Sequence, residues 1–346
     1  MNEMPDTGAD LADGYERLTQ KVWRRTEQIS LLNQVDSIIL DIDGVVIDVS
    51  GSFRVAISQT VQLYLTRTVG FTGGEVLVSP SESQLFKLAG GYNNDWDLSS
   101  AAIMFYLAKA ELLETGDTHE LHRDGMTLEE FTTAAGRAGG GMHGAMTVLF
   151  PQLSQEQRRR VEKRFDRGQV EKLFQELYGG VDFCQRLYGH TPDFNKRKGL
   201  LNDEKIMLDP RVLASFAPKV GVLTGRTKEE AEVGLERAGL LDVIPWENVV
   251  FDSGQAPELR KPRPGALIKL AAKLDAQVAL YVGDVLDDLL VVKNANLDPG
   301  ATAVFLSAIV VSPLRRAEAA LFKREGADIV SLDVNEAITT LNPRRQ

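Results

Sequence analysis

The stretch that decides the fold is Ser37-Ile-Ile-Leu-Asp-Ile-Asp-Gly-Val-Val-Ile-Asp48. It opens with a short run rich in β-branched apolar residues and stops on two carboxylates and a glycine. That is the pattern of a buried parallel strand whose carboxyl end opens into a loop. Two later segments repeat it: Lys219-Val-Gly-Val-Leu223 runs into Thr224-Gly-Arg226, and Val278-Ala-Leu-Tyr-Val282 runs into Gly283-Asp284. Helical periodicity follows each, over Lys228–Ala238 and Asp287–Ala295, and further strands are expected at Ala303–Leu306 and Asp328–Leu332. Strands alternating with helices predict an α/β fold built on a doubly wound parallel sheet. Ligands bind such sheets at the carboxyl ends of the strands, where all three polar segments fall.

About 170 residues separate the first segment from the second, far more than a simple crossover needs. Apolar residues at helical spacing mark Arg54–Thr66, Ser99–Leu113, Gln155–Arg167 and Val170–Leu177, so the interval reads as an inserted, mainly helical domain. The expected organisation is a leader and amphipathic helix over 1–34, a core from 35–53 plus 206–346, and the helical insert over 54–205. Within the first part, Leu18, Val22, Ile29 and Leu32 recur near helical spacing and predict a helix from Tyr15 to about Leu32.

Composition bounds the function. Of 346 residues, 43% are hydrophobic and 25% charged, an ordinary globular balance. Acidic residues outnumber basic ones 49 to 39, and a formal charge of −10 repels phosphate backbones, so no nucleic-acid partner is expected. No apolar run approaches the roughly 18 residues of a membrane span, so no membrane partner is expected. The acidic start, with Glu3, Asp6, Asp10 and Asp13, is unlike a secretory or transit signal, and a lone cysteine, Cys184, suits a reducing compartment. A cytoplasmic location is expected. Cys184 reads as a small buried hydrophobe. The sequence says nothing of oligomeric state.

Each polar segment alone has a bland explanation. Asp41 and Asp43 fit a turn, Thr224 fits a helix cap, and Asp287 and Asp288 fit the first turn of a helix. Two adjacent carboxylates at a strand end nevertheless repel each other and call for a hard cation such as Mg²⁺. Thr224 and Gly225 offer a hydroxyl and backbone N–H groups to phosphate oxygens. Between the second and third strand ends lies Arg260-Lys-Pro-Arg-Pro264, where two prolines hold an extended segment and fix Lys261 as a cation.

In combination the four segments resemble the motifs of the haloacid dehalogenase superfamily: Asp41-Ile-Asp-Gly-Val-Val, Leu223-Thr-Gly-Arg, Lys261-Pro-Arg-Pro and Val282-Gly-Asp-Val-Leu-Asp-Asp288. The resemblance covers roughly residues 35–53 and 206–340. The insert looks like the cap of the subfamily with phosphoglycolate-phosphatase-like members. One departure is Val285, where many relatives carry Ser or Thr.

The resemblance implies a Mg²⁺-dependent phosphatase acting on a small phosphorylated metabolite. Asp41 would be the nucleophile and Asp43 the general acid and base. Asp41, the Asp43 carbonyl and Asp284 would hold Mg²⁺, while Thr224, Gly225 and Lys261 would bind phosphoryl oxygens. Asp288 would orient Lys261 or a metal-bound water, with Asp287 in a lesser supporting place. The presence of Asp43 separates the chain from halide-cleaving relatives, which lack an acid there. A phosphonate-cleaving relative would need a cap lysine, for which Lys87 is the candidate. The same motifs also admit a phosphomutase, or a non-catalytic member that binds a phosphorylated ligand.

Substrate selection is expected in the insert. Lys87-Leu-Ala-Gly-Gly-Tyr-Asn-Asn-Asp-Trp-Asp-Leu98 crowds Asn93, Asn94, Asp95 and Trp96 beside two glycines, either as a substrate-reading loop or as a turn with a cap at Ser99. Gly136–Met146 reads as a mobile loop carrying His143, and Arg54 as a residue that reaches the site or forms a surface ion pair.

Overall fold

The structure is a computed structural model that describes residues 14–92, 94–217, 219–251 and 259–341. They form two compact units, one from Met1–Asp48 with Lys205–Gln346 and one from Val49–Glu204. The strands in chain order are β1 (Tyr15–Arg17), β2 (Val22–Arg25), β3 (Ser37–Leu40), β4 (Ile47–Asp48), β5 (Lys205–Ile206), β6 (Val220–Thr224), β7 (Val249–Phe251), β8 (Val278–Gly283), β9 (Val304–Val310) and β10 (Ile329–Ser331).

In the first unit the order β1-β2-β10-β9-β8-β3-β6-β7 makes one sheet. From β10 to β7 every neighbouring pair is parallel. Strands β3, β6 and β8 are buried along their whole length, which is why they read as near-continuous apolar runs rather than alternating ones. The chain moves from β3 to β6 and β7, then returns across β3 to β8, β9 and β10. The strand order therefore switches direction at the β3/β8 pair, the position where doubly wound sheets leave a crevice. Ile39, Leu223 and Tyr281 send side chains from three adjacent strands against Leu267, Leu270 and Val291 of helices Gly265–Lys273 and Leu286–Leu297. Each such aliphatic side chain contributes roughly 1.5–3 kcal/mol on burial, enough to hold the strand ends in place.

The helix expected from Tyr15 to Leu32 is not formed as such. The segment is an antiparallel hairpin, β1 and β2, and only Ile29–Leu32 is α-helical. Tertiary pairing overrides the local spacing: β2 adds antiparallel to β10, with Val330 opposite Trp23, and Tyr15, Val22 and Trp23 become buried. The Tyr15 hydroxyl donates to the carbonyl of Ala327 at 2.5 Å. The hairpin thereby covers an edge of the parallel sheet that would otherwise offer unpaired backbone groups.

The second unit is helical. Phe53–Leu63 continues as a π-helix over Tyr64–Val69, and Asp95–Leu113, Gln155–Arg164 and Arg167–Tyr188 account for the other expected helices, the last broken at Gly180. The glycine run at 136–146 is a correction. It is a tight joint between helices Leu128–Arg137 and Gly141–Leu149, not a long loop. The glycines let backbones approach: a Cβ at Gly144 would strike the carbonyl oxygen of Ala135. Among the described residues no helix is long and apolar enough to cross a membrane. Cys184 is fully buried, and burial pushes its thiol up to about 11.

Gly144→Ala tests the joint. Its Cβ meets rigid backbone rather than a movable side chain, so the variant is expected to lose more than about 1 kcal/mol of stability by urea denaturation.

Candidate active site

The site is built on the carboxyl ends of β3, β6 and β8. Asp41 follows β3 directly, and its N–H donates to the carbonyl of Val282 at 2.8 Å, carrying the β3/β8 pairing one residue further. The chain then turns tightly: the Ile42 carbonyl accepts from the N–H groups of Val46 and Ile47 at 2.8 and 3.0 Å. Gly44 sits in this turn at φ +74°, and a Cβ there would collide with the Asp284 carboxylate. Only glycine satisfies both demands.

Lys261 is the hub. Its Nζ donates to Asp41 Oδ2 at 2.9 Å, to Asp288 Oδ1 at 2.9 Å and to the Tyr281 hydroxyl at 3.1 Å. An ammonium has three N–H donors, so these three acceptors saturate it. The Lys261 and Asp288 side chains are 8% and 0% exposed. Asp288 is fixed on its other oxygen, Oδ2, by the N–H groups of Asp284 and Val285 at 3.0 and 3.2 Å. Both of its oxygens are thus occupied by protein donors, as are those of Asp41, whose Oδ1 accepts the Ile42 N–H at 2.7 Å. Asp287 lies half-buried on the first turn of the same helix.

Burial opposes the Lys261 charge, but the Asp288 and Asp41 carboxylates outweigh it and hold the ammonium well above its usual pKa. Asp41 goes the other way. Burial raises its carboxyl to about 7 against the pull of Lys261, with Asp288 and Asp43 adding repulsion.

Asp41, Asp284 and Asp288 place carboxylate oxygens within 4.8 Å of one another. Three carboxyl groups against one ammonium leave an excess of acidic groups in a buried space, and all the donors are hard oxygens. That donor set fits Mg²⁺. Asp43 directs its side chain elsewhere: Arg226 donates to Asp43 Oδ1 from Nε at 2.8 Å and lies 2.8 Å away through Nη2.

Two residues of this arrangement were given no role by the motif reading. Tyr281 looked like one more apolar strand residue, yet its hydroxyl also lies 3.0 Å from Asp288 Oδ1. Arg226 closes the Thr-Gly-Arg segment and is 2% exposed. A glycine at 234, inside helix Lys228–Arg237, is its trace in the sequence, because a Cβ there would press on the guanidinium at 3.0 Å. Thr224 is fully buried, and its hydroxyl accepts from the Arg226 N–H at 3.2 Å. The helix cap is Thr227, not Thr224.

No protein-family model matches the sequence, and no curated protein is significantly similar to it. Solved structures do match. The phosphatase Tt82 from Thermococcus thioreducens is 24% identical, covering 88% of this chain and 99% of its own, with a TM-score of 0.52. An X-ray structure from the Northeast Structural Genomics Consortium is 18% identical over 89% of this chain and 98% of its own, at 0.54. A haloacid dehalogenase-like protein from Agrobacterium tumefaciens aligns at 14% identity over 90% of this chain and 100% of its own, with a TM-score of 0.41. The fold is haloacid dehalogenase-like.

The haloacid dehalogenase-like core thus brings Asp41, Lys261, Asp284 and Asp288 together. The candidates of the helical unit are held by contacts of their own. Arg54 donates to Gln84 Oε1 at 2.8 Å. Asn94 is the N-cap of helix Asp95–Leu113, accepting from the Asp97 N–H at 2.7 Å. Ser99, expected as the cap, lies inside the helix and donates to the Asp95 carbonyl. Asp95 pairs with Lys87 at 2.6 Å, and Trp96 packs edge-on to Phe174. His143 is exposed on the first turn of Gly141–Leu149 rather than in a loop. Asn93 lies outside the described residues.

Two outcomes follow from the charge balance. Mg²⁺ at a hundredfold over its Kd stabilises by about 2.7 kcal/mol, so it is expected to raise the melting temperature of the wild type by several degrees and that of Asp284→Asn hardly at all. Because the folded-state pKa of Asp41 lies above the unfolded value, its contribution to stability is complete below about pH 4 and is lost as pH rises through about 7. Urea denaturation in EDTA should therefore show the protein weakening between about pH 4 and 7, on the order of the group's linkage slope, with a flatter profile for Asp41→Asn.

Proposed function

We propose that the chain is a Mg²⁺-dependent phosphatase, a phosphoric monoester hydrolase that acts on a small phosphorylated metabolite. The observation that carries this is the saturated Lys261 ammonium, 2.9 Å from both Asp41 and Asp288 beneath the strand ends. A buried lysine fixed on one carboxylate oxygen of Asp41 neutralises charge beside a nucleophile without competing for the phosphorus. The phosphatase named among the structural neighbours supports the same reaction class.

In this reading a carboxylate oxygen of Asp41 attacks phosphorus in line, and the bond from phosphorus to the ester oxygen breaks. Asp43 gives a proton to the departing oxygen. It then takes one from the water that hydrolyses the aspartyl-phosphate, which releases inorganic phosphate and restores Asp41. The Thr224 hydroxyl and the Gly225 N–H bind the transferring oxygens. The Asp41 and Asp284 side chains and the Asp43 carbonyl would hold Mg²⁺, which would offset phosphate charge when bound. Arg226 is the positioning residue for Asp43, since its Nε and Nη2 both lie 2.8 Å from the carboxylate oxygen Oδ1. The helical unit is assigned the selection of the leaving group.

The decisive experiment is phosphate release from a panel of phosphorylated metabolites, with and without Mg²⁺. Metal-dependent release that falls on the order of 10³-fold or more in Asp41→Asn is expected; silence from folded, Mg²⁺-loaded protein across the panel would sink the proposal. Leaving-group dependence separates the two aspartates. Asp43→Asn and Arg226→Gln should slow alkyl phosphates by roughly 10²-fold or more, and p-nitrophenyl phosphate, whose leaving group needs no proton, by much less. Equal losses on both substrates would remove the acid role from Asp43 and the positioning role from Arg226.

A further inference from the structure

Lys261 is central to the site, yet its backbone belongs to no helix or strand. Residues 260–264 form an irregular turn, and Pro262 and Pro264 have no N–H to offer a neighbour. The Arg263 N–H closes the turn on the Arg260 carbonyl at 2.9 Å. A lysine also has a flexible four-carbon stem, whose ordering costs up to about 2 kcal/mol. Holding its ammonium to a fraction of an ångström therefore takes contacts from outside the turn.

Two residues supply such contacts. The Tyr281 hydroxyl lies 3.1 Å from Lys261 Nζ and 3.0 Å from Asp288 Oδ1, and it closes a triangle with the 2.9 Å pair of Lys261 and Asp288. A hydroxyl has one proton and lone pairs to spare, so Tyr281 accepts from the ammonium and donates to the carboxylate. Its ring is fully buried against Ile39 and the helices beneath the sheet, which fixes where the hydroxyl stands. With acceptors in three directions, rotation about the Cε–Nζ bond is set, and with it the N–H aimed at Asp41 Oδ2.

The second contact is to the main chain. Asn294 Nδ2 donates to the carbonyl of Pro262, the residue after Lys261, at 2.8 Å. Asn294 stands on helix Leu286–Leu297, as Asp288 does. One helix thus grips the Lys261 turn twice, at the ammonium and at the backbone. A donor aimed at a nucleophile is effective when it needs no reorganisation during the reaction, and small displacements of such groups are costly in rate. We propose that Tyr281 and Asn294 are positioning residues for the phosphoryl transfer inferred above, Tyr281 by fixing the direction of the Lys261 ammonium and Asn294 by fixing the turn that carries it. The kinetic consequence rests on the phosphatase reading, whereas the hold on Lys261 does not.

The test compares Tyr281→Phe, which removes only a hydroxyl, and Asn294→Ala with Asn296→Ala. Asn296 lies on the same helix and also ties a side chain to backbone, but its amide bonds the N–H and carbonyl of Phe305 on β9, at 3.0 and 2.8 Å. On the best substrate of the panel at saturating Mg²⁺, kcat is expected to fall about tenfold in Tyr281→Phe and about fivefold in Asn294→Ala, with KM within about twofold. That is less than the roughly 10²-fold or more that follows outright loss of a transition-state donor. Asn296→Ala is expected to lose as much stability in urea as Asn294→Ala and to keep kcat within about twofold. A second readout needs no turnover. In protein carrying nitrogen-15 lysine, the Lys261 ammonium resonance is identified by its loss in Lys261→Arg. Its protons are expected to exchange with water about tenfold faster or more in Tyr281→Phe and Asn294→Ala, and at the wild-type rate in Asn296→Ala. A wild type that hydrolyses nothing would overturn the phosphatase reading, and the ammonium exchange would still decide whether these residues hold Lys261. The proposal is overturned if that exchange is unchanged in either variant, if either variant of an active enzyme keeps kcat within about twofold of wild type, or if Asn296→Ala loses as much kcat as they do.

Discussion

Everything in the candidate site hangs on one buried ammonium. Lys261 joins the nucleophile candidate on β3, the hydroxyl of a β8 residue and a carboxylate on the helix after β8, and it has no donor left over. Such a cluster is stable only when complete. Removing one partner of a buried ion pair leaves an uncompensated charge and typically costs about 3–5 kcal/mol. The arrangement is therefore self-enforcing. Asp288 cannot turn toward a cation without breaking its bonds to two backbone N–H groups and to Lys261.

The sheet explains why these groups meet. Asp41 and Asp284 follow the neighbouring strands β3 and β8, and the strand order reverses between them. Helices diverge from such a point, so the polar strand ends are not covered by a crossover. The tight turn at Gly44 then admits the Asp284 carboxylate where any side chain would exclude it. Three consequences of sequence thus converge on a single crevice: apolar strands that must be buried, polar residues directly after them, and one glycine.

How much of this could be read in advance depended on whether the signal was local. Strands β3, β6 and β8 were legible because a strand buried on both faces is a continuous apolar run, and the residues that end each run mark the site. Lys261 was legible because two prolines fix its backbone. Tyr281 was not, since its ring packs with Ile39 and Leu223 as any core residue would and only its hydroxyl reaches Asp288. Arg226 is a stronger lesson. Its role depends on a partner 183 positions earlier, a distance at which spacing carries no information, and only Gly234 hints at the space it needs. The hairpin at Tyr15–Arg25 misled for the opposite reason. Its apolar residues repeat at near-helical intervals, but the pairing with β10 decides the conformation, and that pairing is invisible to local pattern.

The helical unit shows the same limit in its polar residues. Asn94, Asp95 and Trp96 drew attention as a crowded polar stretch, and each holds the helix start in its own way, through a cap, an ion pair with Lys87 and an aromatic contact with Phe174. A structural role does not compete with a chemical one when the side chain has atoms to spare. It does mean that substitution there disturbs a helix start worth about 1 kcal/mol in the case of the cap. A kinetic loss on its own would then say little about substrate contact. The core differs in this respect, because the contacts that hold Asp41, Asp43 and Lys261 in place are the same contacts on which their proposed roles rest.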